Sequence, residues 1–304
     1  MRKHLVGKLG CTLALVATCA VGIAHGEQAA AGPVRVATLL PFVEDALRQH
    51  DATRVVVVAA VRRQMTQPTA DDVADLGSPH DPSMERLAVA KPGLVVGDRA
   101  LHARFAARLE ATGAAVLLID SMSVEGTLAG LAEVGKKVGV AEVMERQVTT
   151  AREALGGNAP ARRTLLVFGT PESFTLMTAK TWVGDLAARV GLRNLASEVG
   201  GPERHPGFVE VNDEVLTGLD PELVLLVSHG APDQVKARFA ERFQERGIWQ
   251  KGKANAARIH VLSPALFSSN PGLQLGAAAG ELRKLAADPE TAAMPALPAH
   301  APGA

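Results

Sequence analysis

The chain has 304 residues, enough for one large domain or for two lobes with sizeable cores. Its 32 basic and 32 acidic residues cancel, which excludes a general attraction to nucleic acid or to anionic lipid. It has no Tyr, and its 2 Cys, Cys11 and Cys19, both lie near the start, so the remainder holds no disulfide, zinc-thiolate site or cysteine nucleophile.

Arg2, Lys3 and His4 open the chain, Leu9 to Ile23 is nearly continuous in apolar residues, and Ala24-His25-Gly26 follows as a small-x-small triplet. This reads as an export signal over 1–26, too short for the roughly 20 residues a membrane span needs. Val16-Ala17-Thr18-Cys19 offers a second reading, lipidation at Cys19, with Thr18 where Gly, Ala or Ser is usual. The expected location is the periplasm or another extracytoplasmic compartment, with or without that lipid.

Residues 34–123 alternate short apolar runs with helical stretches. Strands are expected at Val34–Leu39, Arg54–Ala60, Leu94–Val96 and Val116–Ile119, and helices at Pro41–His50, Asp81–Ala90 and His102–Thr112. This pattern predicts an α/β lobe with a mainly parallel sheet. Residues 124–157 then carry an apolar stripe through Leu128, Leu131, Val134, Val138, Val143, Val148 and Leu155, ended by Gly156-Gly157-Asn158. Read as one helix, about 32 residues at 1.5 Å each would reach nearly 50 Å, long enough to connect two lobes. The alternation restarts over 161–286, with strands at Leu165–Phe168, Leu223–Ser228 and Ile259–Leu262 and helices at Thr181–Val190, Pro232–Arg246 and Pro271–Ala286. Residues 287–304, rich in Ala, Pro and His, read as a disordered tail. The expected architecture is two Rossmann-like α/β lobes joined by one long α-helix, with a ligand cleft between them.

Phosphate-binding Gly-Lys-Ser/Thr loops, Gly-x-Gly-x-x-Gly, Gly-x-Ser-x-Gly and His-Glu-x-x-His are all missing. Ser228-His229 does not make a nucleophile and base, because adjacent strand residues point to opposite faces. A metal-dependent enzyme would need an open coordination site beside an acid or base, and no such spacing occurs. Arg62 and Arg63 follow an apolar strand, where parallel sheets place ligand loops; they read either as a solvated pair or as a contact for an anionic ligand group. His80, in Gly77-Ser78-Pro79-His80-Asp81-Pro82, and His229, in Ser228-His229-Gly230-Ala231-Pro232, occupy comparable loops, one per lobe. Each alone reads as a surface residue. Together they offer one neutral imidazole from each side, a donor set that suits iron.

Several spaced elements resemble the binding proteins of ABC importers for ferric siderophores, haem and vitamin B12. Val36-Ala37-Thr38-Leu39-Leu40-Pro41 is similar to the opening strand of that class. Pro82-Ser83-Met84-Glu85-Arg86-Leu87 with Lys91-Pro92-Gly93-Leu94-Val95-Val96 resembles its "P-x-x-E … K-P-D-L-V" element, with Gly93 in place of Asp. Asn212-Asp213-Glu214-Val215-Leu216 with Asp220-Pro221-Glu222-Leu223-Val224-Leu225 resembles the second-lobe counterpart. The stretch from Ser228 to Trp249, and Thr181-Trp182-Val183-Gly184-Asp185-Leu186, are most similar to haem-binding lipoprotein members.

The resemblance implies a monomeric carrier, not an enzyme, that binds haem between its lobes and delivers it to a permease driven by an ATPase on separate chains. A ferric siderophore, a corrinoid or a bare metal ion are the rival ligands. It implies His229 as one axial iron ligand. His80 stands where those members carry a Met, so the pair here would be His/His; without Tyr, tyrosinate ligation is excluded. Trp182, His205 and Met65 join the two arginines as candidates to line the cleft. Glu85 and Glu214 match the carboxylates that dock the class onto its permease, although each also begins a helix, where a carboxylate complements the dipole anyway.

Overall fold

Strand residues that are apolar on both sides can be buried only between two layers, and that is how both sheets are used. The computed structural model describes residues 32–62, 70–199, 201–210, 213–219, 221–229, 231–245 and 258–287. From Pro33 onward the chain forms one compact unit.

The first half contains β1 (Val34–Thr38), α1 (Pro41–Leu47), β2 (Val55–Ala60), β3 (Ala74–Asp75), β4 (Gly77–Ser78), β5 (Asp81–Pro82), α2 (Met84–Ala90), β6 (Leu94–Asp98), α3 (Arg99–His102), α4 (Ala106–Glu110) and β7 (Ala115–Ile119). Its sheet runs β3-β2-β1-β6-β7, parallel throughout. On β6, Leu94 and Val96 face one core while Val95 faces another with Leu39, Phe105 and Leu109. The expected α/β lobe is present. β4 and β5 form a separate antiparallel hairpin, so the helix expected from Asp81 begins only at Met84, capped by the Ser83 hydroxyl.

The expected long helix over 124–157 is two helices, α5 (Val124–Lys137) and α6 (Ala141–Glu153). The break has a defined cause. Gly139 adopts φ +76°, its N–H donates to the Lys136 carbonyl, and the Val140 N–H donates back to Gly135. This pair of bonds around a left-handed glycine ends a helix and turns the chain. Arg152 near the end of α6 meets Glu125 at the start of α5 at 2.7 Å, so the two run antiparallel. The apolar stripe reads through the break because both helices bury one side. Its register shifts, however: Met144, Val148 and Ala151 are buried after the turn, whereas Val143 is 40% exposed.

The second half contains β8 (Arg163–Gly169), β9 (Phe174–Met177), α7 (Trp182–Arg189), β10 (Arg193–Asn194), β11 (Glu203–His205), β12 (Phe208–Val209), α8 (Asp213–Gly218), β13 (Leu223–Ser228), α9 (Pro232–Glu245), β14 (Arg258–Val261), α10 (Pro264–Phe267) and α11 (Leu275–Ala287). Its sheet follows β11-β12-β9-β8-β13-β14, with β10 beside β8. The β8-β13-β14 core is parallel and β9, β12 and β11 extend it antiparallel.

The two halves share one core. Val36 and Val96 from the first sheet, Leu128 and Met144 from the helical pair, and Leu166 and Leu225 from the second sheet belong to a single apolar cluster. The segment before α11 returns to the first half: the Asn270 amide donates to the Ser121 carbonyl at 2.9 Å and to Thr127 Oγ1 at 2.7 Å. Gly272, at φ +58°, packs on Phe42 with room for no Cβ, which would stand 2.8 Å from the Phe42 Cβ.

Candidate functional site

His80 sits at the tip of the β4–β5 hairpin. Gly77 starts the turn at φ +81°, and its N–H donates to Asp75 Oδ1 at 2.8 Å. The His80 N–H donates to Ser78 Oγ at 3.2 Å, and the ring is exposed. Two groups from the segment after β6 hold the tip: His102 Nε2 lies 2.8 Å from the Pro79 carbonyl, and Arg104 Nη2 donates to the His80 carbonyl at 2.6 Å.

His229 follows β13. Its N–H donates to the Gly169 carbonyl at 2.9 Å, which extends the β8–β13 pairing by one residue and leaves the side chain beyond the sheet. The exposed ring stands 5.8 Å from Phe168, and Phe168 meets Phe208 edge-on at 5.8 Å. His205, exposed on β11, pairs with Phe208 across the ladder. The second sheet thus offers an aromatic surface of Phe168, Phe208 and two histidines.

The His80 pKa is lowered from the ordinary histidine value, first by desolvation and then by the charges of Arg104, His205 and His229. A lowered pKa keeps the imidazole neutral at neutral pH, the form that can donate a lone pair to a metal. Among the described residues, no group of three His, Cys, Asp or Glu could hold a bare metal ion. Two imidazoles suit a metal whose remaining donors come with it.

The other candidates separate. Arg62 is bonded to Asp75 through both Nε and Nη2, which holds the Asp75 carboxyl below its usual range, so its charge is matched within the first half. Trp182 does not line the site: it is 9% exposed and stacks on Phe267 at 5.8 Å, because it opens α7 on the helix's buried face. Glu85, in the first turn of α2, and Glu214, in α8, are both exposed. Cys19, Arg63 and Met65 lie outside the described residues, as do the expected export signal and the tail from 288.

Sequence reasoning missed Phe168, Phe208, His102, Arg104 and Arg108. Phe168 and Phe208 form the aromatic surface, and only Phe168, at a strand's end, carried a positional signal. His102 and Arg104 lay within an expected helix. Arg104 and Arg108 stack on Phe105 at 4.6 and 5.8 Å; both are exposed, and neither forms an ion pair with a carboxylate among the described residues. They bring uncompensated positive charge to the His80 side.

A cavity of about 800 Å³ lies elsewhere, between the β8–β9 turn and α9, lined by Pro171, Glu172, Gln234 and Arg238 among others. None of the three histidines lines it, and its mixed charges match no one ligand.

The chain is 22% identical over 190 residues to the high-affinity heme uptake system protein IsdE of Staphylococcus aureus, an alignment covering 60% of this chain and 63% of that protein. The chain thus spans less than two thirds of the length of the curated relatives it matches. Its fold resembles the crystal structure of S. aureus IsdE complexed with heme, with a TM-score of 0.65 at 20% identity over 84% of this chain and 99% of that one. It resembles the petrobactin-binding protein YclQ of Bacillus subtilis as well, with a TM-score of 0.65 at 13% identity over 83% and 92%. Residues 36–260 match the family model for periplasmic binding proteins, and this chain is a member of that family.

Proposed function

We propose that this protein is the substrate-binding component of an ABC importer and that its cargo is haem, bound between His80 and His229. The observation that carries this reading is the exposed His229 ring beyond β13, 5.8 Å from Phe168 in the Phe168–Phe208 pair, with the His80 hairpin tip held from the first half by His102 and Arg104. A porphyrin supplies four nitrogen donors and needs two axial ligands, a planar apolar surface and positive charge for its carboxylates. His80 and His229 supply the first, Phe168 and Phe208 the second, and Arg104 and Arg108 the third. Family membership supports the binding-protein reading, and the likeness to IsdE supports haem as the cargo. His205 is the reserve ligand. The protein acts as a monomeric carrier, not as an enzyme, outside the cytoplasm after loss of the segment 1–26 or held there by a lipid on Cys19. Glu85 and Glu214 dock it to the permease, whose ATPase is a separate chain.

The test is a titration of the purified protein with haem, read by visible absorption. Bis-imidazole ligation gives a low-spin spectrum without a high-spin charge-transfer band. Ferric petrobactin, added in parallel, is the competing ligand suggested by the likeness to YclQ. Binding of that chelate with no change in the haem spectrum refutes the haem assignment and leaves the importer reading standing.

A further inference from the structure

His102 is fully buried, yet its ring makes two well-formed hydrogen bonds. The Asp98 N–H donates to Nδ1 at 2.8 Å, so Nδ1 carries the lone pair. Nε2 then carries the hydrogen and donates to the Pro79 carbonyl at 2.8 Å. The ring is thereby a neutral bridge from the end of β6 to the residue before His80. Space for it is built in: a Cβ on Gly97 would stand 3.1 Å from His102 Nδ1 and 3.2 Å from Leu118 Cδ2. Two residues on, Arg104 lies over Phe105 and donates to the His80 carbonyl itself at 2.6 Å. Consecutive carbonyls of the hairpin tip are thus held from one rigid segment. That segment is anchored in turn, because Asp98 caps α3 through Leu101 N–H and accepts from Ser121 N–H and Oγ at 3.0 and 2.7 Å.

We infer that His102 and Arg104 are positioning residues for the cargo's first-half ligand: they fix the Pro79–His80 backbone so that the His80 imidazole meets the iron opposite His229. The inference rests on the haem reading above. His102 touches neither iron nor porphyrin in that reading and acts only through the hairpin; the hold of Arg104 on the His80 carbonyl is distinct from the charge it offers the carboxylates and is read by exchange and spin state. A hairpin of two-residue strands cannot hold its own tip, since so short a ladder is marginal in isolation. Donors fixed outside the coordination sphere set ligand orientation, and their loss costs roughly 10–100-fold in metal affinity.

The experiment compares Arg104→Met, Arg104→Lys, His102→Ala and His102→Gln with His80→Ala, using the full chain. Two readouts are taken: amide hydrogen exchange over residues 77–82 without ligand, and spin state and affinity with haem. Arg104→Met is exposed and should fold. It should exchange faster over the hairpin, show a mixed high- and low-spin spectrum, and bind haem about tenfold more weakly or worse. His102→Ala should do the same where it folds. Arg104→Lys and His102→Gln each keep a donor and should recover the low-spin form. If Arg104→Met retains either wild-type exchange or the wild-type spin state, the inference is overturned while the haem reading stands. Should His80→Ala itself leave the haem spectrum unchanged, the inference and the His80 ligation both fall, whereas failure to bind haem at all removes the haem reading.

Discussion

Gly135 faces Met144 across the α5–α6 turn so closely that a Cβ on Gly135 would lie 2.5 Å from the Met144 Cβ and 2.9 Å from its Cγ. The same glycine accepts the bond from Val140 that closes the turn. Two effects of Gly135→Ala oppose each other. Alanine favours a helix interior over glycine by about 1 kcal/mol, whereas overpacking a filled contact costs about 1–3 kcal/mol. The neighbouring atoms are Cβ and Cγ of a fully buried side chain, which cannot swing aside, so overpacking wins. Gly135→Ala should lower the urea midpoint, and a stabilised variant would refute this packing.

The axial pair has a spectroscopic signature. His229→Ala should weaken haem binding most, and His80→Ala should give a mixed or high-spin spectrum. His80→Met should restore low-spin iron at a higher reduction potential, because thioether favours the ferrous state. Spectroelectrochemistry of the three variants decides it. Alanine variants indistinguishable from wild type in spectrum and affinity would shift attention to His205.

Charge reversal at Glu85 and Glu214 should separate binding from delivery. Both side chains are exposed at helix starts. Exposed charges act on association with a partner rather than on a distant pocket. The double Lys variant should bind haem as wild type does, yet fail to support uptake in cells that carry the importer. Loss of haem binding by the folded double variant would overturn the docking role.

Acid should destabilise the fold well before its carboxylates titrate. Desolvation, the largest cause, lowers the His102 pKa from its ordinary value, and the bond to Pro79 only partly opposes it. In the unfolded chain His102 titrates near the ordinary value of about 6.5. Between the two values the unfolded chain binds more protons, so stability falls as pH drops below about 6.5 and levels off once the folded His102 charges. His50 and His80 are shifted in the same direction and add to the slope. His102→Gln should flatten the fall in urea midpoint between about pH 7 and 5; an unchanged slope would count against a buried neutral ring.

Asn270 joins the halves through one amide. Its Nδ2 serves Ser121 and Thr127, and its Oδ1 accepts the Gly272 N–H at 2.9 Å. Asn270→Ala leaves buried polar groups unpaired, at about 1–3 kcal/mol for each such group. A marked drop in Tm is expected, whereas Asn270→Asp should retain the Gly272 bond and lose the other two.

Elements buried on both faces were legible in the residue pattern. Val55–Ala60 and Leu223–Ser228 fall where apolar runs put them, and Pro232–Glu245, which buries only one face through Val235 and Phe239, falls where helical periodicity puts it. The α5–α6 break was hidden by a stripe that continues through it, although Lys136-Lys137-Val138-Gly139 carries the stop signal. The strands β9 to β12, two to four residues each, are too short to show alternation, and with them the place of His205 and Phe208 was lost. His80 and His229 stood out because each lies in a turn-rich loop. His102 did not, since a buried bridging histidine and an exposed one look alike within a helical stretch; the one trace is Gly97, five residues earlier.

The return of the chain at Asn270 and Gly272 also has a temporal meaning. Asn270 reaches a carbonyl 149 residues earlier, and Gly272 covers Phe42, which belongs to the shared core. The first half to be synthesised therefore waits for nearly the last before its surface is sealed. Contacts this distant in sequence form late and slow the overall rate. A chain that lacked its last helices would keep Phe42 open to solvent and remain a substrate for chaperones, so the termination of folding, like a clasp, is set by residues far from any ligand.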